Sequence, residues 1–327
     1  MGRTERVLVT GGAGYIGSWV TRFLLEAGYE VVVLDRLLFG GKSLEGVLGH
    51  PRFQFVHGDV RDEKALAAAI DGADRVVHLA ALVGEAACKK NPDESRAVNV
   101  TGTRNVATAA IESGVKQLVF FSTASSYGVQ DISVLADETS QLNPVSLYAE
   151  SKIESEGILA KTFDGQKSYY SVFRPSTVHG PSARMRFDLI VNHLTRDAYL
   201  DHKVEIFGGS LWRPLIWVGD AARCVVSALQ ANADAVRNQA FNLGNHGGNF
   251  RKIQVAEILR EKLIPDLQIV QQHDDPDLRS YRVDFSKIEK VMGFKVVKPI
   301  EAAMADIIQM LELKVVDDPY DHKYRND

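Results

Sequence analysis

The chain has 327 residues, of which 45% are hydrophobic and 24% charged, as is usual for a globular protein. Lysine and arginine number 38 and aspartate and glutamate 42, and the resulting net charge of −4 argues against a nucleic-acid or membrane-surface role driven by charge. Two distant cysteines indicate a reduced compartment without a disulfide framework. The sequence shows neither a bilayer-spanning apolar run nor an apolar signal-peptide core, so we predict a cytoplasmic protein.

A glycine-rich turn follows the first predicted strand. The apolar run at 7–9 leads into glycines between 11 and 17, and apolar residues then recur at helical spacing up to Gly28, a predicted helix C-cap. Strand, turn and helix in this order are typical of a dinucleotide site, because glycine lets backbone N–H groups approach a pyrophosphate and the helix N-terminus favours its charge. The turn residues predicted to bind the dinucleotide are Gly11, Gly14, Tyr15, Ile16 and Gly17.

The second predicted strand, at 31–34, ends at Asp35. A carboxylate there is placed to accept hydrogen bonds from an adenosine ribose and to repel the 2′-phosphate of NADP, so we predict NAD as the cofactor. Arg36 leaves NADP open, because an arginine beside the acid can pair with that phosphate.

Further strand-like runs alternate with amphipathic helical segments. The runs lie at 53–56, 75–79, 117–121 and 169–174, and the helical segments include 63–70, 99–113 and 147–161. The alternation predicts an α/β fold, a doubly wound parallel sheet with helices on both faces and right-handed crossovers. Ligands bind beyond the carboxyl ends of such strands, so the residues just past those ends are expected to line one crevice. They are Asp35, Asp59, Ala80, Ala81, Thr123 and Pro175.

The alternation weakens after Pro175. Helices are predicted near 187–199, 253–262 and 300–313, and a strand end leads into a helix at 217–229. We predict a dinucleotide-binding domain from residues 1–176 plus 213–240. Residues 177–212 plus 241–327 are predicted to form a smaller, mostly C-terminal α+β substrate domain that closes over the crevice. The charged tail at 317–327 is expected to fray.

Tyr148 and Lys152 lie one turn apart on one face of a predicted helix. A free phenol has a pKa of ~10 and is a poor base at neutral pH. A nearby ammonium and an oxidised nicotinamide both favour the phenolate, and lowering its pKa by ~3 units takes about 4 kcal/mol. We predict that Tyr148 takes a proton from a substrate hydroxyl while hydride leaves for NAD. A surface Tyr with a solvated Lys is the alternative where this spacing stands alone.

Taken together, the motifs resemble one known family. They lie at 11–17, 58–60, 78–81, 99–103, 122–123, 127–128, 148–152, 174–175, 180–181, 213–218, 241–244, 279–281 and 284–287. The chain resembles an extended short-chain dehydrogenase/reductase with a Rossmann fold, in the NAD-dependent epimerase/dehydratase group that acts on nucleotide sugars. Within that group it is similar to the UDP-glucose/galactose 4-epimerases. The resemblance spans almost the whole chain.

The resemblance implies a role for each matching residue. Tyr148 matches the catalytic base, Lys152 its ribose-binding partner and Thr123 the residue that hydrogen-bonds the reacting oxygen. The implied cofactor contacts are Asp59 and Val60 at the adenine, Leu79, Ala80 and Ala81 along the side of the bound cofactor, Asn99 near the adenosine end, and Pro175. The implied substrate contacts are Val83, Thr123, Ser125, Thr177, Asp188, Arg213, which grips the diphosphate, and Arg279.

The chain departs from the family pattern at three places. Ala124 and Ser125 replace the Asp-Glu pair with which dehydratases of the family eliminate water, so that reaction is disfavoured. Ser125 also stands where members that epimerise next to a ketone often carry Cys. Thr177 replaces a frequent Asn, which puts the usual diphosphate contact in doubt. His179, two residues on, is better interpreted as packing or capping than as a substrate contact.

These observations favour an NAD-dependent nucleotide-sugar epimerase. It would oxidise a sugar hydroxyl, expected at C4, to a transient ketone and return the hydride to the other face. An NAD(P)H-dependent 4-ketoreductase of a nucleotide-linked deoxysugar is the alternative. A 4,6-dehydratase and a non-catalytic dinucleotide-sensing regulator are further, less favoured alternatives. We predict no metal, because His193, His202, His246 and His273 lack ligand spacing.

A homodimer is predicted from the helices at 99–113 and 147–161, which carry apolar residues on more than one face. In the proteins that the chain resembles, these two helices pair with the same two of a second subunit. The apolar residues are Val100, Val106, Ala107, Ala110, Ile111, Leu147, Ile153, Ile158 and Leu159. Residues scattered singly, as monomers tolerate, are the alternative.

Overall fold

The computed structural model describes residues 3–272, 277 and 279–326. The strands are β1 (Arg6–Thr10), β2 (Glu30–Asp35), β3 (Phe53–His57), β4 (Arg75–His78), β5 (Gln117–Phe121), β6 (Tyr169–Pro175), β7 (Thr177–His179), β8 (Lys203–Phe207), β9 (Trp212–Trp217), β10 (Gln239–Leu243), β11 (Asn249–Arg251) and β12 (Gln268–Gln272). The α-helices are α1 (Gly17–Glu26), α2 (Glu63–Ile70), α3 (Glu85–Lys90), α4 (Pro92–Arg96), α5 (Gly102–Glu112), α6 (Leu147–Thr162), α7 (Ile190–Asp201), α8 (Val218–Gln230), α9 (Ala233–Val236), α10 (Lys252–Lys262), α11 (Ser286–Met292) and α12 (Ile300–Glu312). A π-helical turn at Ala97–Thr101 leads into α5, and 3₁₀ turns lie at Lys42–Val47, Ala124–Tyr127, His246–Gly248 and His322–Tyr324.

The largest sheet contains seven strands within the described residues, in the order β10-β6-β5-β4-β1-β2-β3, and every neighbouring pair is parallel. Val7 and Val9 enter a core with α1 and α8, while Leu8 enters a second core with α2, α5 and α6. Successive residues of β1 therefore face different helix layers, which explains its unbroken apolar run. The arrangement confirms the predicted α/β fold.

The strand order reverses between β1 and β4, so their carboxyl ends open the crevice in which such sheets bind ligands. Beyond the main sheet, β7, β9 and β11 form a small sheet, and β8 pairs with β12. A third core joins α7, α10 and α12 to these strands.

Strand pairing differs from the predicted domain boundaries at two places. β9 pairs with β7 and β11, so residues 213–217 lie in the small sheet and not with the dinucleotide-binding part. β10 runs parallel to β6 in the main sheet, across the predicted boundary after residue 240. Pairing partners are chosen by tertiary contacts that a local pattern does not reveal. The division into two domains otherwise stays a prediction.

The expectation that the tail frays is wrong for its described residues, 317–326. The Tyr320 hydroxyl donates to Asp201 at 2.6 Å, and the backbone N–H of Phe187 donates to the carbonyl oxygen of Tyr324 at 2.8 Å. The rings of Phe187 and Tyr324 meet edge to face at 5.9 Å. Aromatic anchors therefore hold a segment that its charge alone would leave in water. No helix of the described residues combines the length and the hydropathy needed to cross a membrane.

Candidate active site

A cavity of about 550 Å³ lies at the carboxyl ends of β1, β2, β4, β5 and β6. It is lined by every residue predicted to bind cofactor or substrate except Asn99. The lining comprises Gly11, Gly14, Tyr15, Ile16, Gly17, Asp35, Arg36, Asp59, Val60, Leu79, Ala80, Ala81, Val83, Thr123, Ser125, Tyr148, Lys152, Pro175, Thr177, Asp188, Arg213 and Arg279. The fold thus gathers these residues around one space, and their individual roles stay predictions.

The glycine turn has the geometry of a pyrophosphate cradle. Gly11 has a φ of +75°, and a Cβ on Gly17 would overlap the carbonyl oxygen of Gly11. The turn and the start of α1 are therefore packed as only glycine allows. No side chain caps the N-terminus of α1, which leaves its first N–H groups for a ligand. A dinucleotide diphosphate fits this cradle.

At the adenosine end, the Asp35 carboxylate accepts hydrogen bonds from the backbone N–H groups of Ala13 at 3.0 Å and Leu37 at 2.8 Å. Burial raises the pKa of Asp35 above its ordinary value, although those two N–H groups counteract the rise. The Arg36 guanidinium donates to Glu94 at 2.8 Å and to Asp59 at 3.3 Å. Because two carboxylates already engage Arg36, the arrangement favours a free ribose diol over a 2′-phosphate.

Thr123, Tyr148 and Lys152 meet at the far end of the cavity. Ser146 caps α6, with its hydroxyl oxygen accepting from the backbone N–H of Ala149 at 3.3 Å, and this places the two α6 residues one turn apart. The Thr123 hydroxyl lies close enough to the Tyr148 phenol to lower its pKa, and it accepts from the backbone N–H of Ser125 at 3.1 Å. The Lys152 side chain is only 3% exposed, and its ammonium lies 4.5 Å from the centre of the Phe120 ring. Burial lowers the pKa of Lys152 to about 7.

The lowered phenol pKa was predicted from Lys152 together with an oxidised nicotinamide, and it stays a prediction; the protein groups around Tyr148 act in the opposite direction. Burial, followed by the neighbouring Cys88, raises the pKa of Tyr148 above its ordinary value, whereas the Arg186 and Arg279 guanidinium groups and the Thr123 hydroxyl counteract the rise. A buried phenolate loses its hydration, and Lys152 itself tends toward neutrality in the same environment.

Asn99 is fully buried behind the cavity wall and does not line the cavity. Its amide oxygen accepts from the backbone N–H of Leu82 at 2.8 Å, and its NH₂ donates to the Leu82 carbonyl at 3.0 Å. The same NH₂ donates to the Ser151 hydroxyl at 3.1 Å. Asn99 therefore ties the segment after β4 to α6 beside Lys152 and lies behind the cavity lining, whereas it was predicted near the adenosine end.

Near the predicted catalytic residues, Arg213 and Arg279 share the carboxylate of Asp277. Arg279 donates two hydrogen bonds of 2.7 Å to it, and an Arg213 nitrogen lies 2.8 Å from one of its oxygens. Burial opposes ionisation of Asp277, but the two guanidinium groups hold its pKa well below its usual range. The Ser125 hydroxyl lies 3.3 Å from Arg279 and 3.4 Å from the Tyr281 hydroxyl.

Sequence reasoning missed several side chains that line the cavity. Arg186 donates to both oxygens of Asp188, and Arg184 donates to the side-chain oxygen of Asn326 at 2.6 Å. Glu85 pairs with Arg279 at 3.1 Å. Arg184 and Arg186 lie in an irregular segment and Asn326 in a charged tail, so no periodicity or motif marks them.

Two further residues are buried outside the cavity lining, and one of them, Cys88, lies close enough to Tyr148 and Lys152 to act electrostatically on both. His179 does not line the cavity, and burial lowers its pKa to about 3. The Cys88 thiol is fully buried, lies 3.4 Å from the Leu82 carbonyl oxygen and has its pKa raised by burial. The described residues contain no group of three or more His, Cys, Asp or Glu side chains arranged to hold a metal ion. His273 lies outside the described residues.

Comparisons with known proteins agree with this geometry. The profile of the NAD dependent epimerase/dehydratase family matches residues 7–244. A UDP-glucose 4-epimerase of Lactobacillus helveticus is 32% identical over 311 residues, which cover 89% of this chain and 92% of the relative. A UDP-glucuronic acid decarboxylase of Arabidopsis thaliana is 28% identical over 301 residues, or 89% of this chain and 84% of the relative.

Among solved structures, the UDP-glucose 4-epimerase of Thermotoga maritima with UDP-glucose matches with a TM-score of 0.85. It is 26% identical, and the match covers 95% of this chain and 100% of that one. The family profile spans the glycine turn, Asp35, Tyr148, Lys152 and the carboxyl end of the last sheet strand. This chain therefore belongs to the NAD-dependent epimerase/dehydratase family of enzymes.

Proposed function

We propose that the protein epimerises a UDP-sugar at C4 with tightly held NAD. The observation that supports the proposal is that Thr123, Tyr148 and Lys152 line the same cavity as the glycine turn and Asp35, which are predicted to bind the dinucleotide. The relatives named as UDP-glucose 4-epimerases support the nucleotide and the sugar position.

In this reaction the chain orients the sugar and moves one proton. Bound NAD would accept the hydride and return it, and the positive charge of its nicotinamide would favour the Tyr148 phenolate. Lys152 is placed to bind the nicotinamide ribose, and Thr123 to hydrogen-bond the reacting oxygen. Tyr148 takes the hydroxyl proton, and it gives the proton back after the ketone has turned in the site. No outside oxidant is consumed.

The surroundings of Thr123 disfavour elimination. A dehydratase needs an acid and a base beside the sugar, and the positions next to Thr123 hold Ala124 and Ser125. The nearest contacts of Ser125 are Arg279 and Tyr281, neither of which is a carboxylate. As the resemblance implies, Arg213 would bind the substrate diphosphate and Arg279 would contact the substrate beside Ser125.

A second candidate is a sugar that carries a carboxylate. The Arg186 and Arg279 guanidinium groups both act electrostatically on the Tyr148 phenol, so two cationic side chains lie near the proposed base. The decarboxylase relative acts, by its name, on UDP-glucuronic acid. Arg186 is already paired with Asp188, and this pairing makes the neutral sugar our first choice.

The test is a substrate panel with product analysis by NMR. The purified protein is incubated with UDP-glucose, UDP-galactose, UDP-N-acetylglucosamine and UDP-glucuronic acid, without added cofactor. We expect conversion of a sugar to its C4 epimer with no net change in NADH. Release of carbon dioxide from UDP-glucuronic acid would favour the decarboxylase. NADPH-dependent reduction of a 4-keto sugar would favour the ketoreductase, and cofactor binding without turnover would favour a sensor.

We further propose that the protein is a cytoplasmic homodimer. The outer surfaces of α5 and α6 carry this part of the proposal, and its test is given below.

A further inference from the structure

Arg184 differs from the other arginines of the cavity. Arg36, Arg186, Arg213 and Arg279 each pair with a carboxylate. Within the described residues, no carboxylate lies at ion-pair distance from Arg184. The Nη2 of Arg184 donates to the Arg325 carbonyl oxygen at 3.0 Å and to the Asn326 amide oxygen at 2.6 Å. Its Nη1 donates to the Met185 carbonyl oxygen at 3.3 Å.

The Arg184 guanidinium is also packed against an aromatic ring, and not all of its N–H donors have a hydrogen-bond partner. It lies 3.8 Å from the centre of the Phe39 ring, and the residue is 6% exposed. Its Nε is buried without a hydrogen-bond partner. Burial first, and then the charge of Arg186, lower the pKa of Arg184 to about 10. A buried cation with a free donor is costly unless an anion accompanies it.

The position of Arg184 indicates which anion that is. The preceding segment rests on the glycine turn, with the Tyr15 hydroxyl donating to the Gly180 carbonyl at 2.6 Å and the Ser182 hydroxyl donating to the Tyr15 carbonyl at 2.8 Å. The charge of Arg184 acts on the Tyr15 phenol. Phe39 lies in the loop that follows Asp35. Arg184 thus stands between the glycine turn and the adenosine loop.

We propose that Arg184 binds the diphosphate of the bound NAD from the segment that covers the glycine turn, and that Asn326 positions it. A dinucleotide places its diphosphate against the glycine turn. The Asn326 NH₂ group donates to the Val83 carbonyl at 3.1 Å while its oxygen holds Arg184. Asn326 therefore links the cavity wall after β4 to the cation. In this proposal the diphosphate accepts hydrogen bonds both from the backbone N–H groups of the glycine turn and from the Arg184 guanidinium.

The test compares dinucleotide affinities by titration calorimetry of protein stripped of nucleotide. Arg184→Gln is expected to weaken binding of NAD and of ADP-ribose about tenfold or more, since a charged hydrogen bond is lost. Binding of adenosine, which has no diphosphate, should change by less than about twofold. The affinity of the variant for NAD should also depend less on salt. Arg196→Gln is the matched control, because Arg196 is equally buried but pairs with Asp197 outside the cavity.

Two results would overturn the assignment. One is an unchanged NAD affinity in folded Arg184→Gln protein. The other is a loss confined to UDP-glucuronic acid, which would place the cation on the substrate. If Arg184→Gln does not fold, Asn326→Ala carries the test, because Asn326 is partly exposed and its truncation leaves Arg184 in place. That variant should bind NAD about threefold more weakly and adenosine equally well. Equal NAD affinity there rejects the proposal.

Discussion

At the scale of single residues, burial opposes charge at both members of the catalytic pair. It raises the pKa of Tyr148 and lowers that of Lys152 to about 7. The protein groups by themselves therefore favour a neutral Tyr148 phenol beside a Lys152 amine that is partly deprotonated at neutral pH. A positive nicotinamide would shift that balance toward the phenolate and would so couple the proposed base to the oxidised form of the cofactor.

Tyr148→Phe is expected to lower turnover on the order of a hundredfold or more, because the proton acceptor is removed while the ring remains. NAD affinity should be nearly unchanged. Tyr170→Phe, at a half-buried tyrosine of β6 outside the cavity, is the control. Steady-state rates on the active sugar decide the matter, and activity above about a tenth of wild type would contradict the assignment.

The depressed pKa of Lys152 predicts a pH dependence of stability. The unfolded chain keeps this proton up to about pH 10.5, whereas the native protein releases it near pH 7. Between these values the unfolded state binds more protons, so the unfolding free energy contributed by Lys152 rises with pH, by at most about 1.4 kcal/mol per unit. Urea titrations of cofactor-free wild type and Lys152→Met should diverge as pH increases from 7 to 9. Parallel curves would show that Lys152 titrates normally.

Asp35→Ala should weaken NAD more than NADP, changing the ratio of the two affinities about tenfold. The carboxylate offers acceptors to the ribose diol and repels a phosphate. The exposed Asp71→Ala variant is the control for the loss of one negative charge. Both cofactors are titrated against all three proteins. An NAD/NADP ratio equal to that of wild type would show that Asp35 is not the selector.

At the scale of elements, several residues of the sequence motifs do not line the cavity but hold the elements around it together. The Tyr127 hydroxyl donates to Asn242 at 2.7 Å, and Arg174 pairs with Glu156 at 2.7 Å while donating to Tyr127. These bonds join the turn after β5 to β6, β10 and α6. Because every partner is buried or nearly so, the network fixes the turn that carries Thr123.

A second buried chain of bonds supports the wall strand β4. The His78 ring nitrogens lie 2.7 Å from the Thr10 hydroxyl and 3.0 Å from the Thr103 hydroxyl, which itself donates to the Asn99 carbonyl at 2.6 Å. Burial, followed by the charge of Lys152, lowers the pKa of His78 to about 3. His78 is therefore a neutral structural link between β1, β4 and α5.

The close approach of Gly17, at the start of α1, to the backbone of the glycine turn allows a specific prediction. Gly17→Ala places a methyl group against the Gly11 carbonyl and the Gly12 Cα, both backbone atoms that cannot rotate away. We expect a loss of more than about 2 kcal/mol in stability, with weaker NAD binding. Gly46→Ala, whose added methyl meets nothing within 4 Å, should be neutral or stabilise slightly. Denaturant titration of both variants tests this, and equal stabilities would refute the close approach.

At the scale of the whole molecule, the proposed homodimer would rest on less apolar surface than the sequence pattern of α5 and α6 predicted. Val106, Ala107, Ala110 and Leu159 are buried in the core beneath α5 and α6. Ile111 and Ile153 remain partly exposed. The outer groove between the two helices is lined by Arg104, Glu154, Gly157, Ile158, Lys161 and Thr162. It carries both charge signs, so a two-fold copy of the groove can meet its own complement.

Light scattering at micromolar concentration is expected to report about twice the chain mass of 36.1 kDa. Gly157→Arg should shift the protein to the monomer, because the new side chain has open space within its own subunit but projects from the groove. Gly49→Arg, also in open space, is the control and should leave the mass unchanged. A wild-type mass near that of a single chain would refute the dimer.

The sequence by itself determined the features that depend on local pattern. Apolar runs alternating with amphipathic helices specify a parallel sheet, and the glycine spacing specifies the turn between β1 and α1, because these signals come from neighbouring residues. Helix α2 was predicted at its observed bounds, and Tyr148 and Lys152 share a helix face by spacing alone. Membership of the family followed from motifs carried along one chain.

Only the tertiary structure decided the features that join distant segments. Asn99 lies behind the cavity lining because its side chain hydrogen-bonds both Leu82 and Ser151, which are distant in sequence. Strand β10 belongs to the main sheet because it pairs with β6. Arg184 and Asn326 are 142 residues apart and form no sequence motif, yet a short hydrogen bond joins them over the cavity. The direction of the Tyr148 and Lys152 pKa shifts likewise depends on burial. Burial is a property of the packed molecule, and no pattern of neighbouring residues specifies it.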